Sequence, residues 1–149
     1  MDRTERVELT TLCMLTRGNE ILLQDRVKTD WRGYCFPGGH IEPGESIVDS
    51  VIREMREETG LTVKSPKLCG IKQFPIDGGR YLVFFFKADC FDGELTASEE
   101  GQVAWIHRKD LPNLNKVSDF MDMLQVFDRD DLTEFQYLVS DDDWTVSLK

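Results

Sequence analysis

The sequence predicts a mixed α/β chain of the α+β class. Three observations carry this. Several runs rich in β-branched and aromatic residues have strand length and end at Gly, Asn or Asp turns. Residues 47–59 have helical periodicity with a cap signal at each end. A second helical spacing comes late, at 119–127. At 149 residues, 40% hydrophobic and 31% charged, the chain has the size and composition of one globular domain with a real core. No internal repeat or linker divides 1–149.

Taken in order, 7–17 are largely apolar and read as a strand. Gly18-Asn19 is a turn, and 20–24 (EILLQ) is a second strand, giving a hairpin. Residues 25–34, DRVKTDWRGY, are a polar loop with two aromatics. A loop of this kind beside a catalytic segment often holds substrate; a plain surface connection is the alternative. Arg26 or Arg32 could contact phosphate. Trp31 or Tyr34 could stack on a base, and Trp31 could equally cover the core. Phe36 leads into Pro37-Gly38-Gly39, where paired glycines let backbone come close to a ligand or metal. After the helix, 61–63 and 68–75 look extended, and Asp77-Gly78-Gly79 is a hairpin turn. Residues 80–91, RYLVFFFKADCF, are the most apolar run and predict one central strand with core phenylalanines. Phe74, near the turn, is the better pocket candidate.

Residues 92–101 form an acidic loop, and 102–107 a strand with Val103, Trp105 and His107 on one side. Lone His107 reads as surface, and neither it nor His40 has a Ser, Cys or His neighbour that suggests nucleophilic catalysis. Residues 108–115 are turn-rich. The spacing of Phe120, Met123, Leu124 and Phe127 predicts a helix. The acidic segment 128–149 carries an apolar FQYLV insert that could pack on the domain or mediate a homodimer.

The net charge is −10. That argues against a nucleic-acid polymer or an anionic membrane as partner, because phosphate contacts need Lys and Arg. It leaves nucleotides open, since Mg²⁺ can bridge acid to phosphate. No apolar run has transmembrane length, and MDRTERVEL has no signal-peptide character. Cys13, Cys35, Cys69 and Cys90 are well separated, with no CxxC. Cys13, Cys69 and Cys90 lie in apolar strand-like segments and read as small core residues. A reduced, cytoplasmic protein is expected.

The richest stretch is 39–61, GHIEPGESIVDSVIREMREETGL. Pro43-Gly44 is a turn signal, Ser46 with Asp49 starts a helix, and Gly60 sits at a left-handed C-terminal cap. On that helix Val48, Val51, Ile52 and Met55 form the expected buried stripe. Glu54, Glu57 and Glu58 share another face. Arg53 stands one turn before Glu57 and can hold it. Clustered hard oxygen donors that do not form a cage suit Mg²⁺, or Mn²⁺, holding a substrate's phosphates; a solvated acidic face is the bland alternative.

The whole pattern decides between them. Gly39, five residues, Glu45, seven residues, Arg53-Glu54, Met55, one residue, Glu57-Glu58, one residue, Gly60 and Leu61 resembles the Nudix box without departure. Seven such fixed identities recur by chance on the order of once in 10⁸ windows. The resemblance implies an α/β/α sandwich around a mixed, bent sheet, and hydrolysis of a nucleoside diphosphate linked to another group. It makes Glu54, Glu57 and Glu58 metal ligands, with the Gly39 carbonyl able to join them. Glu45 would assist through a water or an outer contact, and Arg53 would orient the glutamates.

Within that family the chain resembles the MutT-type branch. There the proton-accepting carboxylate comes from a loop after the long apolar strand, which here is Glu100-Gly101-Gln102, with Glu99 as second choice. Glu100 would then also reach metal. In Leu111-Pro112-Asn113-Leu114-Asn115, Asn115 falls at the offset of the branch's base-reading Asn, with Asn113 a competitor. The resemblance therefore implies 8-oxo-dGTP hydrolysed to 8-oxo-dGMP and pyrophosphate, a nucleotide-pool sanitising, mutation-avoiding activity. ADP-ribose, a dinucleotide or an RNA cap as substrate, and a non-catalytic binding module, are the rivals. The intact box weighs against the last.

Overall fold

The computed structural model describes residues 1–28 and 30–149. Thr29, within the expected 25–34 loop, lies outside the described residues. The strands are β1 (Arg6–Arg17), β2 (Glu20–Arg26), β3 (Gly33–Cys35), β4 (Gly38–His40), β5 (Leu61–Lys64), β6 (Lys67–Ile76), β7 (Gly79–Ala88), β8 (Cys90–Gly93), β9 (Val103–His107), β10 (Glu134–Ser140) and β11 (Asp143–Leu148). The helices are α1 (Ile47–Thr59) and α2 (Phe120–Asp128), with a 3₁₀ turn at Arg108–Asn113. Among the described residues no helix is long and apolar enough to cross a membrane.

The main sheet runs β11-β10-β6-β7-β1-β2-β3, with β4 also on β1 and β9 also on β2. It is mixed: β1 is parallel to β7 and β10 is parallel to β6, while the other pairings are antiparallel. β1 is the hinge of this arrangement. One of its edges lies along β7 from Arg6 to Leu15. The other is shared between β4 at Thr10–Leu12 and β2 at Thr16 and Arg17. A separate β5–β8 ladder flanks the sheet.

Strand periodicity sends successive side chains to opposite faces, and here both faces are buried. Leu12, Met14, Ile21, Leu23, Val83 and Phe85 join one cluster with Phe120, Met123, Phe127 and Phe135. Cys13, Leu15, Leu22 and Phe86 join the other with Val51, Met55, Leu61 and Val63. The expected sandwich results, with α1 over one face and α2 over the other.

Helix α1 has the predicted bounds. Ser46 Oγ accepts from the Asp49 N–H at 3.2 Å, and Gly60 closes the helix at φ 80°. Its buried face differs from the expected stripe. Val48 is 43% exposed and Ile52 is half-buried, whereas Ser50, Val51, Glu54, Met55, Glu58 and Thr59 are buried. The helix is rotated so that two carboxylates turn inward with the apolar residues.

Three further expectations need correction. The run 80–91 is not one strand: β7 ends at Ala88, and β8 turns away to pair with β5. Cys90 is exposed there rather than core. Phe36 is not a pocket residue. It is 1% exposed, stacks on Phe120 at 4.8 Å and packs tilted on Phe127 at 4.4 Å between ring centroids. The Phe-Pro-Gly-Gly segment carries its ring into the α2 face of the core. The acidic segment from 128 supplies the β10–β11 hairpin, which extends the sheet beyond β6.

Phe127 also packs on Phe85 at 4.4 Å, so one side chain ties α2 to β7 and to the approach to β4. Removing a buried aromatic costs about 3–5 kcal/mol. Urea denaturation of Phe127→Ala is expected to show a loss of that size. A loss under about 1 kcal/mol, within the range of ordinary surface substitutions, would contradict this packing.

Candidate active site

The expected 25–34 loop is shorter, because β2 runs to Arg26 and β3 starts at Gly33, and Asp25 and Arg26 pair with Tyr34 and Gly33. A cleft of about 850 Å³ opens where β4 and α1 meet the segment between β2 and β3, β6 and the C-terminal hairpin. Its lining includes Gly39, Glu54, Glu57, Glu58 and Glu100 together with Arg26, Trp31 and Phe74.

Arg53 organises the carboxylates. Its Nε donates to Glu45 Oε2 at 2.7 Å. Its Nη2 donates to Glu45 Oε1 and to the His40 carbonyl, both at 2.9 Å. Its Nη1 donates to Glu54 Oε1 at 2.9 Å and to Glu57 Oε2 at 3.2 Å. Glu45 Oε1 also accepts from the Glu42 N–H at 3.0 Å, which fixes the loop before α1. The guanidinium and that amide hold the Glu45 carboxyl down at about 2. Burial pushes Glu54 the other way, above its ordinary value, against the pull of Arg53. Glu58 is tied separately: its Oε2 accepts from Gln24 Nε2 at 2.7 Å and Ser98 Oγ at 2.8 Å.

Gly39 is at this centre for a steric reason. A Cβ there would stand 2.5 Å from the Glu54 carboxylate, so a side chain at this position would push that carboxylate away from its bond to Arg53. The donor set is all oxygen and acidic, and seven carboxylate residues line the cleft against Arg26, Lys28 and Lys72. Such a cleft repels a polyphosphate unless a hard cation intervenes. The carboxylates are spread by Arg53, Gln24 and Ser98 rather than closed into a cage, and among the described residues no group of three His, Cys, Asp or Glu is already gathered. Both features fit Mg²⁺, which is held by a few carboxylates and keeps waters and phosphate oxygens.

The other expected residues divide. Glu100 lines the cleft and pairs with Lys28 at 2.8 Å; neighbouring Glu99 is exposed and outside the lining. Trp31 and Phe74 both face the cavity. Arg26 lies over the Trp31 ring at 5.0 Å and donates from Nε to the Trp31 carbonyl at 3.1 Å, so it shapes the loop as well as lining the cleft. Asn115 is not brought to the cleft. Its side chain is exposed, and its backbone carbonyl accepts from the Tyr34 N–H at 2.8 Å, which fixes the segment to β3. Asp119, four residues on, lines the cleft instead.

Sequence reasoning missed Lys72, Tyr81, Asp119, Tyr137 and Trp144, all of them lining residues. One signal was present: Lys72 shares the strand face of Phe74 by period-two alternation. Nothing local marks the hairpin aromatics.

The Glu45–Arg53 bond has a pH signature. Glu45's folded pKa lies below its reference value of 4.5. Its contribution to stability is therefore full above that value and is lost as pH falls toward about 2. In the metal-free protein, carbon-13 NMR of Glu45 is expected to titrate near 2, and Arg53→Gln to return it to the ordinary range of about 4.3. An unmoved titration would refute the role of the guanidinium.

A family model described as the NUDIX domain matches residues 7–127. The chain is 39% identical over 114 residues to the uncharacterized Nudix hydrolase YvcI of Bacillus subtilis, covering 72% of this chain and 71% of that one. It is 34% identical over 108 residues to an ADP-ribose pyrophosphatase of Methanocaldococcus jannaschii, covering 70% of this chain and 63% of the relative. With the human 8-oxo-dGDP phosphatase NUDT18 it shares 31% over 118 residues, covering 75% of this chain and 36% of the relative. The crystal structure of a mutator MutT protein from Bacillus halodurans superposes with a TM-score of 0.77 at 32% identity, covering 95% of this chain and 97% of that one. On the family match, the identities and the intact box together, the chain belongs to the Nudix hydrolase family.

Proposed function

We propose that the chain hydrolyses nucleoside triphosphates to the monophosphate and pyrophosphate, with 8-oxo-dGTP the preferred substrate. The observation that carries this reading is the union, in one cavity, of box carboxylates, Glu100 and an aromatic wall. The first suits a polyphosphate and the last a nucleobase. Likeness to a MutT protein over nearly the whole chain and to an 8-oxo-dGDP phosphatase adds support. A second reading, ADP-ribose or a dinucleotide, is favoured by the 34% identical ADP-ribose pyrophosphatase.

Nudix hydrolases use divalent metal ions such as Mg²⁺, and here Glu54, Glu57, Glu58 and the Gly39 carbonyl would hold the ion. When bound, it supplies neutralisation of the phosphate charge and acidifies water. The chain's own groups do the rest. Arg53 keeps Glu45, Glu54 and Glu57 in place. Glu100 takes the proton from the attacking water as the water oxygen bonds to phosphorus. The bond from that phosphorus to the bridging oxygen breaks, and pyrophosphate leaves with the electron pair. Lys28, paired with Glu100, stays beside the reacting phosphates.

Two measurements test this. Glu57 is exposed and contributes only a surface ion pair to the fold, so Glu57→Gln is expected to keep its Tm while kcat falls by orders of magnitude. Unchanged Mg²⁺-dependent turnover would remove Glu57 from the metal site. In a panel of 8-oxo-dGTP, dGTP, dATP, ADP-ribose and a dinucleoside polyphosphate, 8-oxo-dGTP is expected to give the highest kcat/KM. A clear win for ADP-ribose or the dinucleotide would establish the second reading.

A further inference from the structure

Glu58 is held differently from the other box carboxylates. Arg53 reaches Glu45, Glu54 and Glu57, but among the described residues no cation is within salt-bridge distance of Glu58. Its bonds come from two neutral donors, Gln24 Nε2 at 2.7 Å and Ser98 Oγ at 2.8 Å, and both end on the same oxygen, Oε2. Oε1 accepts none among the described residues, and Glu58 lines the cleft. The carboxylate is thus divided: one oxygen serves the fold and the other is left for a ligand.

Gln24 is only 2% exposed, on β2 between core residues. A buried amide is costly unless it is bonded, and a leucine would fill the space without that penalty. What glutamine adds is an N–H of fixed direction that sets the place of Oε2.

Ser98 does more. Its hydroxyl has one proton, and an ionised carboxylate can only accept, so that proton goes to Glu58. The same Oγ accepts from the Glu100 N–H at 3.1 Å. One hydroxyl therefore joins a carboxylate on α1 to the backbone of the residue that takes the proton.

The rest of the turn is pinned to the same place. The Thr96 N–H donates to the Thr59 carbonyl at 2.8 Å, at the end of α1. The Gly101 N–H donates to the Ser98 carbonyl at 3.3 Å, and the Asp25 N–H, next to Gln24, donates to the Gln102 carbonyl at 2.8 Å. Gly101 has φ 141°, and a Cβ there would overlap the Asp25 carbonyl. A side chain at 101 would lift the turn off β2. Ser98 is where α1, β2 and this turn meet.

We propose that Ser98 is a positioning residue that sets Glu100 in register with Glu58, with Gln24 fixing the Glu58 end. Together Gln24 and Ser98 leave Oε1 as the atom that Glu58 offers to a divalent cation. Ser98 alone also holds the Glu100 backbone, so one hydroxyl places two groups that must act on the same phosphate. Lys28 holds the Glu100 carboxylate from solvent at 2.8 Å, but both side chains are exposed, and an exposed pair is a weak anchor. This rests on the reading of the site as a nucleotide hydrolase and deepens it.

The test compares Ser98→Ala, Ser98→Thr and Gln24→Leu with the wild type. Mn²⁺ is titrated into the nucleotide-free protein and followed by electron paramagnetic resonance. Removing a group that orients a metal ligand weakens affinity roughly ten- to a hundredfold, and Ser98→Ala and Gln24→Leu are both expected to show a loss of that order. At saturating Mg²⁺, with the best nucleoside triphosphate as substrate, Ser98→Ala is expected to lower kcat by a similar factor with KM nearly unchanged. The fall is expected to exceed that in Gln24→Leu, because only Ser98 also holds Glu100. Ser98→Thr keeps the hydroxyl and is expected to recover both losses. Thermal melts identify a variant that fails to fold, and the other two then carry the comparison. Unchanged Mn²⁺ affinity in Ser98→Ala and Gln24→Leu, an unchanged kcat in Ser98→Ala, or losses that Ser98→Thr does not recover would overturn the proposal. Weakened Mn²⁺ binding in a protein that hydrolyses no nucleoside triphosphate would instead keep the placing of Glu58 and sink the hydrolase reading.

Discussion

Everything at this site depends on keeping four carboxylates together before any cation arrives. Glu54 and Glu58 are a like-charge pair one helical turn apart, and Glu45 and Glu57 reach the same guanidinium from before and within α1. Unrelieved, such repulsion would splay the side chains or shift their protonation. Arg53 resolves it with a planar fork of five N–H donors, and all five are committed: two to Glu45, one each to Glu54 and Glu57, and one to the His40 carbonyl. Two consequences follow. Arg53 has no donor left for a substrate, so its part is positional. A lysine could not replace it, because three donors on a point charge cannot span the same acceptors.

The sheet makes that cluster usable. β1 is long enough to lie along β7 while its other edge holds β4 and then β2. The edge shared by β4 and β2 presses Gly39 against the glutamates, and the β7 edge leads through β6 to the hairpin. The two apolar clusters on opposite sheet faces hold α1 and α2 independently. The carboxylate end of the cleft thus hangs on one core layer and the far end on the other. Buried Gln24 ties α1 to the sheet: it belongs to β2 and donates to Glu58.

The sequence disclosed the first half of this well and the second half poorly, for a physical reason. The bounds of α1, its caps and the company of Glu45, Arg53, Glu54, Glu57 and Glu58 are local facts, set by spacing along some twenty residues. Which face of α1 is buried is already non-local. Val48 looked like core by periodicity but is exposed, because the sheet takes the side bearing Glu54 and Glu58. Phe36 and Asn115 were assigned by their neighbours in sequence. Their positions are fixed by tertiary partners, the ring of Phe36 by α2 and the backbone of Asn115 by β3. Lys72, Asp119 and the hairpin residues Tyr137 and Trp144 come from β6, the start of α2 and β10–β11, which meet through the β10–β6 pairing and the packing of α2.

The acidity of the molecule sharpens the division between the two ends. An excess of carboxylates in the cleft makes bare polyphosphate an unfavourable guest, so affinity for phosphate would have to come through a cation held by the glutamates. Phosphate groups are common to every nucleotide, and this end cannot discriminate among them. Discrimination must lie where charge is sparse and shape and hydrogen bonding dominate. That is where the rings of Trp31, Phe74, Tyr137 and Trp144 line the cleft, able to stack on a base.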